Sequence, residues 1–152
     1  MLIKSTRFGE LEVADEQVFK FPHGIPGFPD EKTFVFIPFD KESPFFYLQS
    51  TTEANLTFLL VDPFAFFQDY EFIIEDEAAE ELGLSQENLP QVFLMATMRG
   101  KLADMTVNLL APIVINRANQ TGQQVILDKP EYSIRQKLFP HDLPTVTAGG
   151  GK

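Results

Sequence analysis

No apolar run in this 152-residue chain is long, and each is stopped by Pro, Gly or a polar turn. Runs with strand-like composition are Phe8–Val13, Val18–Phe21, Thr33–Phe39, Phe45–Ser50, Leu56–Val61, Tyr70–Ile74, Gln91–Met98, Met105–Leu110, Ile113–Asn116 and Gln124–Leu127. Turn residues part them at Ala14–Glu16, Asp40–Pro44, Thr51–Asn55 and the polar loop Asn116–Gly122, while Asp62-Pro63 and Pro112 break the chain between others. About ten short segments at intervals of about 8–12 residues predict an antiparallel barrel or sandwich rather than a helical bundle. Sixteen Phe and no Trp agree with a β-rich interior, because Phe fills a core with no polar atom to satisfy. The expected fold is mainly β: a single-domain, antiparallel, β-barrel-like structure with one short acidic helix. Residues 1–139 form the domain, and residues 140–152, with their Gly run, form a flexible tail. Residues 131–139 fit either a last strand or a short helix.

The helix is expected within Leu59–Leu82, which joins an apolar strand, an aromatic turn, a second strand and the acidic segment Glu75–Leu82. Its alanines favour helix, its first-turn acids suit the positive end of the dipole, and Gly83 is placed to end it. Glu80 and Glu81 lie at the end the dipole disfavours, which points to a partner or to solvation rather than to local stability. In the preceding strand Tyr70, Phe72 and Ile74 share one face, with Glu71 and Ile73 on the other.

Charge is distributed unevenly. Between Glu42 and Met98 the chain has no Lys, Arg or His, yet those 57 residues carry 11 of its 22 acids. Folded surfaces ordinarily mix the two signs to limit self-repulsion, so a face left negative predicts a basic partner. A net charge of −10 opposes direct contact with nucleic acid or an anionic membrane. The absence of Cys excludes disulfides and thiolate chemistry and suits a reducing compartment. The first residues have no apolar signal-like region and no run approaches the length of a membrane helix, so a cytoplasmic location is expected.

The residues do not assemble a reaction centre. There is no nucleophile elbow, HExxH or P-loop, and Gly24-Ile25-Pro26-Gly27-Phe28 lacks the Lys of a phosphate cradle. His23 and His141 lie in separate loops, and Glu75-Asp76-Glu77 lacks the spacing of a calcium loop, so neither a metal nor another cofactor is expected. Phe21–Lys32, with three Pro and two Gly in the nine residues from Phe21 to Pro29, reads as a rigid shaped loop: a binding loop or a corner of the sheet. Phe64, Phe66, Phe67 and Tyr70 could form an aromatic patch rimmed by Asp62, Asp69 and Glu71. Because aromatics are more often core, at least two of the four are expected to be buried.

Five blocks in order, Phe21–Phe28 (FPHGIPGF), Ser43–Ser50 (SPFFYLQS), Phe66–Phe72 (FFQDYEF), Asn108–Asn116 (NLLAPIVIN) and Gln124–Leu138 (QVILDKPEYSIRQKL), resemble the FliW family of flagellar assembly factors. Gln136-Lys137 departs from the His-Pro usual in that family after Tyr-x-Ile-Arg. The resemblance implies a small β-barrel-like protein that catalyses nothing and binds two partners in turn. One is the RNA-binding translational repressor CsrA, a basic homodimer; the other is flagellin before export. Flagellin bound to the factor leaves CsrA free to repress flagellin translation. Its secretion frees the factor to bind CsrA away from the RNA site and relieve that repression. On this reading Phe67, Gln68, Asp69, Tyr70, Glu71, Asp76 and Glu77 form the CsrA contact. The loop His23, Gly24, Ile25, Pro26, Gly27 and Phe28 is a second candidate surface, for either partner. Two alternatives remain: an acidic mimic of RNA that uses the same face but competes for the repressor's groove, and a small-ligand barrel with a deep pocket holding His23.

Overall fold

Alternation along the strands dictates the architecture, because consecutive residues are buried against different cores. A computed structural model describes residues 1–98 and 100–139. Its strands are β1 (Leu2–Ser5), β2 (Gly9–Glu12), β3 (Val18–Lys20), β4 (Thr33–Pro38), β5 (Phe45–Ser50), β6 (Thr57–Val61), β7 (Gln91–Thr97), β8 (Thr106–Val107), β9 (Ile113–Asn116), β10 (Thr121–Gln124) and β11 (Gln136–Lys137). Among the described residues the single α-helix is α1 (Asp76–Leu82).

Strands β7-β6-β5-β4-β3-β10-β9 follow one another around a ring that closes where β9 returns to β7. All neighbours in the ring are antiparallel except β3 and β10, which meet in parallel at Lys20 and Thr121. Strand β7 holds the closure together. One edge pairs with β6 from Leu94 to Ala96; the other pairs with β9 from Gln91 to Phe93 and then with β8 at Ala96 and Thr97. Strand β11 pairs in turn with β8.

Phe34, Phe36, Leu60, Phe93, Ile113 and Ile115 face inward with Phe19, Phe21, Ile25 and Leu48 and fill the barrel. Their neighbours face the other way: Val61, Leu94 and Val114 enter a second core with Tyr70, Ala78, Leu82 and Leu109. Val35 packs outward against Ile3 and Val13 of the N-terminal hairpin. The wall is thus covered on both sides at β4, β6, β7 and β9, and those strands read as nearly continuous apolar runs. Gly122 of β10 is set by close approach: a Cβ there would lie 2.6 Å from the buried Phe21 ring.

The expected barrel and short helix are present, but several segments differ from the sequence reading. Tyr70–Ile74 joins no ladder; its alternation reflects one side packed on the outer core, with Tyr70 buried and Ile73 85% exposed. The strand expected at Gln124–Leu127 is β10 at Thr121–Gln124, because its register is set by pairing with β9 across a tight turn rather than by its own polar residues. Met105–Leu110 shrinks to β8, Asn108 holding the next turn by accepting from Leu110 N–H and Ala111 N–H at 3.0 Å each. Residues 131–139, whose pattern fits either element, contain the short strand β11, and β1 has no counterpart among the expected strands. His141 and the expected tail, residues 140–152, lie outside the described residues.

Candidate functional site

The excursion from Asp62 to Leu84 crosses the outer core between β6 and β7, and side chains from other elements hold it in place. Asp62 caps a 3-10 turn, Pro63–Ala65, accepting from Phe64 N–H at 3.0 Å, so it is a structural cap as much as a rim acid. Of the four aromatics Tyr70 alone is buried; Phe66 and Phe67 are half-buried and Phe64 is half-exposed. The expectation of at least two buried rings is corrected to one, because the turn lies on the barrel's flank: Phe66 and Phe67 pack against the edge of the outer core and only Tyr70 is enclosed by it.

Tyr70 donates its hydroxyl to the Leu109 carbonyl at 2.7 Å, and its ring packs 5.0 Å from Tyr132. Burial pushes its phenol well above the ordinary range, with Tyr132 adding to the effect. Tyr70 therefore anchors the turn and is not presented to solvent. Tyr132, which sequence reasoning missed because residues 131–139 show no decisive period, fixes the next residue. Its hydroxyl donates to the Glu71 carbonyl at 2.8 Å and accepts from Glu71 N–H at 3.1 Å. The Glu71 carboxylate thus projects from a doubly held backbone, with Gln68, Asp69, Asp76 and Glu77 also exposed.

Helix α1 has Asp76 and Glu77 in its first turn and ends at Gly83, whose φ of 70° is left-handed. Side chains of the β9–β10 turn satisfy its last carbonyls. The buried Asn116 donates from Nδ2 to the Leu82 carbonyl at 2.8 Å, and Asn119 Nδ2 donates to the same oxygen at 2.9 Å. Glu81, which no local rule explained, lies 2.7 Å from His23 Nε2. That contact brings the two candidate surfaces together: the loop beginning at His23 meets the helix at its far end.

Within the loop Ile25 is buried in the barrel core and Gly24 is buried, while His23, Pro26, Gly27 and Phe28 are exposed. It is both a corner and a surface, and Phe28 packs edge-on against Phe58 at 5.7 Å. Between loop and helix runs an open groove of about 580 Å³ lined by His23, Phe72, Ile73, Glu75, Glu77, Glu81 and residues 123–129. It lies outside the barrel, whose interior is packed with side chains.

Every acid from Glu42 to Glu87 is exposed except the half-buried Asp62. Among the described residues none of them forms an ion pair with Lys or Arg, and His23 is the one base that reaches one. Lys129 shares the groove, with its ammonium 5.6 Å from the centre of the Tyr132 ring. No cluster of three or more His or acidic side chains suited to a metal occurs among the described residues. No helix among them is long and apolar enough to cross a membrane.

Comparison with known proteins matches residues 2–138 to the family described as FliW protein. The chain is 62% identical over 152 residues to a flagellar assembly factor FliW of Desulfitobacterium hafniense (strain DSM 10664 / DCB-2), covering all of both chains. It is 39% identical over 138 residues to the flagellar assembly factor FliW of Bacillus subtilis (strain 168), covering 91% of this chain and 96% of the other. A crystal structure of the flagellar assembly factor FliW superposes with a TM-score of 0.85 at 35% identity, over 94% of this chain and 100% of that one.

Proposed function

The chain belongs to the FliW family of flagellar assembly factors, and from that premise we propose that it binds the translational repressor CsrA and, in exchange, flagellin. It acts in the cytoplasm by occupancy alone, with no reaction catalysed. Bound to flagellin it leaves CsrA free to repress flagellin translation; once flagellin is exported it takes up CsrA and lifts that repression.

The observation that carries this reading is the exposed acidic run from Asp69 to Glu81, which has no Lys or Arg partner among the described residues. Carboxylates held in this way attract a cationic protein and speed its arrival. The CsrA contact consists of Phe67, Gln68, Asp69, Glu71, Asp76 and Glu77, with Tyr70 acting from beneath by fixing the turn. A negative body docked on the repressor also repels RNA phosphates without covering their site.

Co-purification with CsrA at low and high salt, followed by a flagellin challenge, tests the proposal. Capture weakened by salt and released by flagellin is expected; capture indifferent to salt would remove its electrostatic basis. The RNA-mimic reading uses the same acids but requires rising RNA to displace the protein from CsrA. Lowered RNA affinity with the protein still bound to CsrA at saturating RNA excludes it.

A further inference from the structure

The groove beside α1 has two backbone walls, and neither is completed. On one wall Val125 N–H donates to Pro112 at 2.9 Å and Leu127 N–H to Leu110 at 2.8 Å. Alternation then turns the peptide groups of Ile126 and Asp128 away from that neighbour, and both residues line the groove. Neither residue has a hydrogen-bond partner for its N–H or C=O among the described residues. On the facing wall the same holds for Phe72, Ile73 and Ile74, a segment in no ladder. The two walls line one groove without bonding each other.

The side chains specify what fits. Ile73 and Ile126 are 85% and 67% exposed, an uncovered apolar pair on opposite walls. Around them lie Glu75, Glu77, Glu81 and Asp128, against which the groove sets Lys129 and a His23 already in contact with Glu81. Lys and Pro ordinarily blunt unpaired edges of this kind; here Lys129 and Pro130 stand only at the end of the wall, and the rest of the rim is acidic.

We propose that this groove receives an extended, cationic segment of a partner protein as an added strand. Its backbone bonds to Ile126 and Asp128, its apolar side chains cover Ile73 and Ile126, and its basic side chains meet the acidic rim. The inference does not depend on which protein supplies the segment, so CsrA capture by the same preparation scores the proposed function separately.

The probe is a fluorescent Lys-Val-Lys-Val-Lys-Val peptide titrated into the full chain, beside a copy N-methylated at every second amide and a Glu-Val copy. Saturable binding of the first is expected, weakened about tenfold or more by N-methylation, which deletes backbone donors but no side chain. The Glu-Val copy is expected not to bind, and hydrogen exchange at Ile126 and Asp128 should slow only in the complex. The double variant Ile73→Lys, Ile126→Lys alters only exposed side chains and is expected to fold by circular dichroism and bind about tenfold more weakly. Equal binding of the methylated copy overturns the added strand and leaves charge alone. No saturation below about 1 mM, or protection elsewhere on the chain, overturns the site.

Discussion

The barrel interior and the excursion that carries the acidic face are held by different physics. Inside the barrel, aromatic rings meet edge-on, Phe21 with Phe34 at 5.3 Å and Phe46 with Phe93 at 5.1 Å, and many contacts share the burden of each position. In the excursion fewer residues are buried, chiefly Tyr70, Ala78 and Leu82, and single atoms set the position: the Tyr70 and Tyr132 hydroxyls and the amides of Asn116 and Asn119 fix 20-odd residues to the barrel flank. Losing an interior side chain costs stability and leaves the surface in place. Loss of one directional bond outside costs little stability and displaces the groups a partner reads.

Phe34→Ala should break that contrast from the inside. It empties a fully buried ring position, lowering unfolding free energy by about 3–5 kcal/mol in urea titration, while the fraction still folded binds CsrA with unchanged affinity. Glu71→Lys is the reverse case. Affinity for CsrA in titration calorimetry should fall by about 1–3 kcal/mol, with stability shifted by no more than about 0.5 kcal/mol. Normal binding by this variant would mean that the contact lies elsewhere. Tyr132→Phe sharpens the comparison, since it keeps the ring and removes only the hydroxyl that grips Glu71. About 1 kcal/mol of stability should be lost, and CsrA affinity should drop although the acid itself is intact. His23→Ala should do least: an exposed pair with Glu81 is worth about 0–1 kcal/mol, seen as a small shift in thermal midpoint.

The parts that could be read from the sequence are those where local pattern and final environment agree. Phe45–Ser50 and Ile113–Asn116 match strands β5 and β9 residue for residue, because the β-formers there are buried in β9 and at least half-buried in β5. Acids, alanines and a glycine likewise placed α1, each residue acting within its own turn. Elsewhere distant residues decide. Thr121-Gly122 looks like loop, and the strand pattern starts only at Gln124, but β10 covers Thr121–Gln124 because β9 imposes its register and Phe21 needs the space above Gly122. Tyr70–Ile74 has a strand's alternation and no strand beside it. At the candidate site the acids were legible as composition. Their support by Tyr132, and the meeting of His23 with Glu81 across 58 residues, required the fold.

The one parallel seam, where Lys20 meets Thr121, has a consequence for how the molecule is made. The ring joins an early strand to a late one, so a chain emerging from the ribosome cannot close it until β9 and β10 have been synthesised. Until then β3 and β7 each keep a bare side, and contacts this distant in sequence form slowly. Nascent chains arrested between Thr97 and Asn116 should therefore be the species most prone to stick to one another. The groove beside α1, whose far wall is drawn from residues 123–129, comes into being only after that closure.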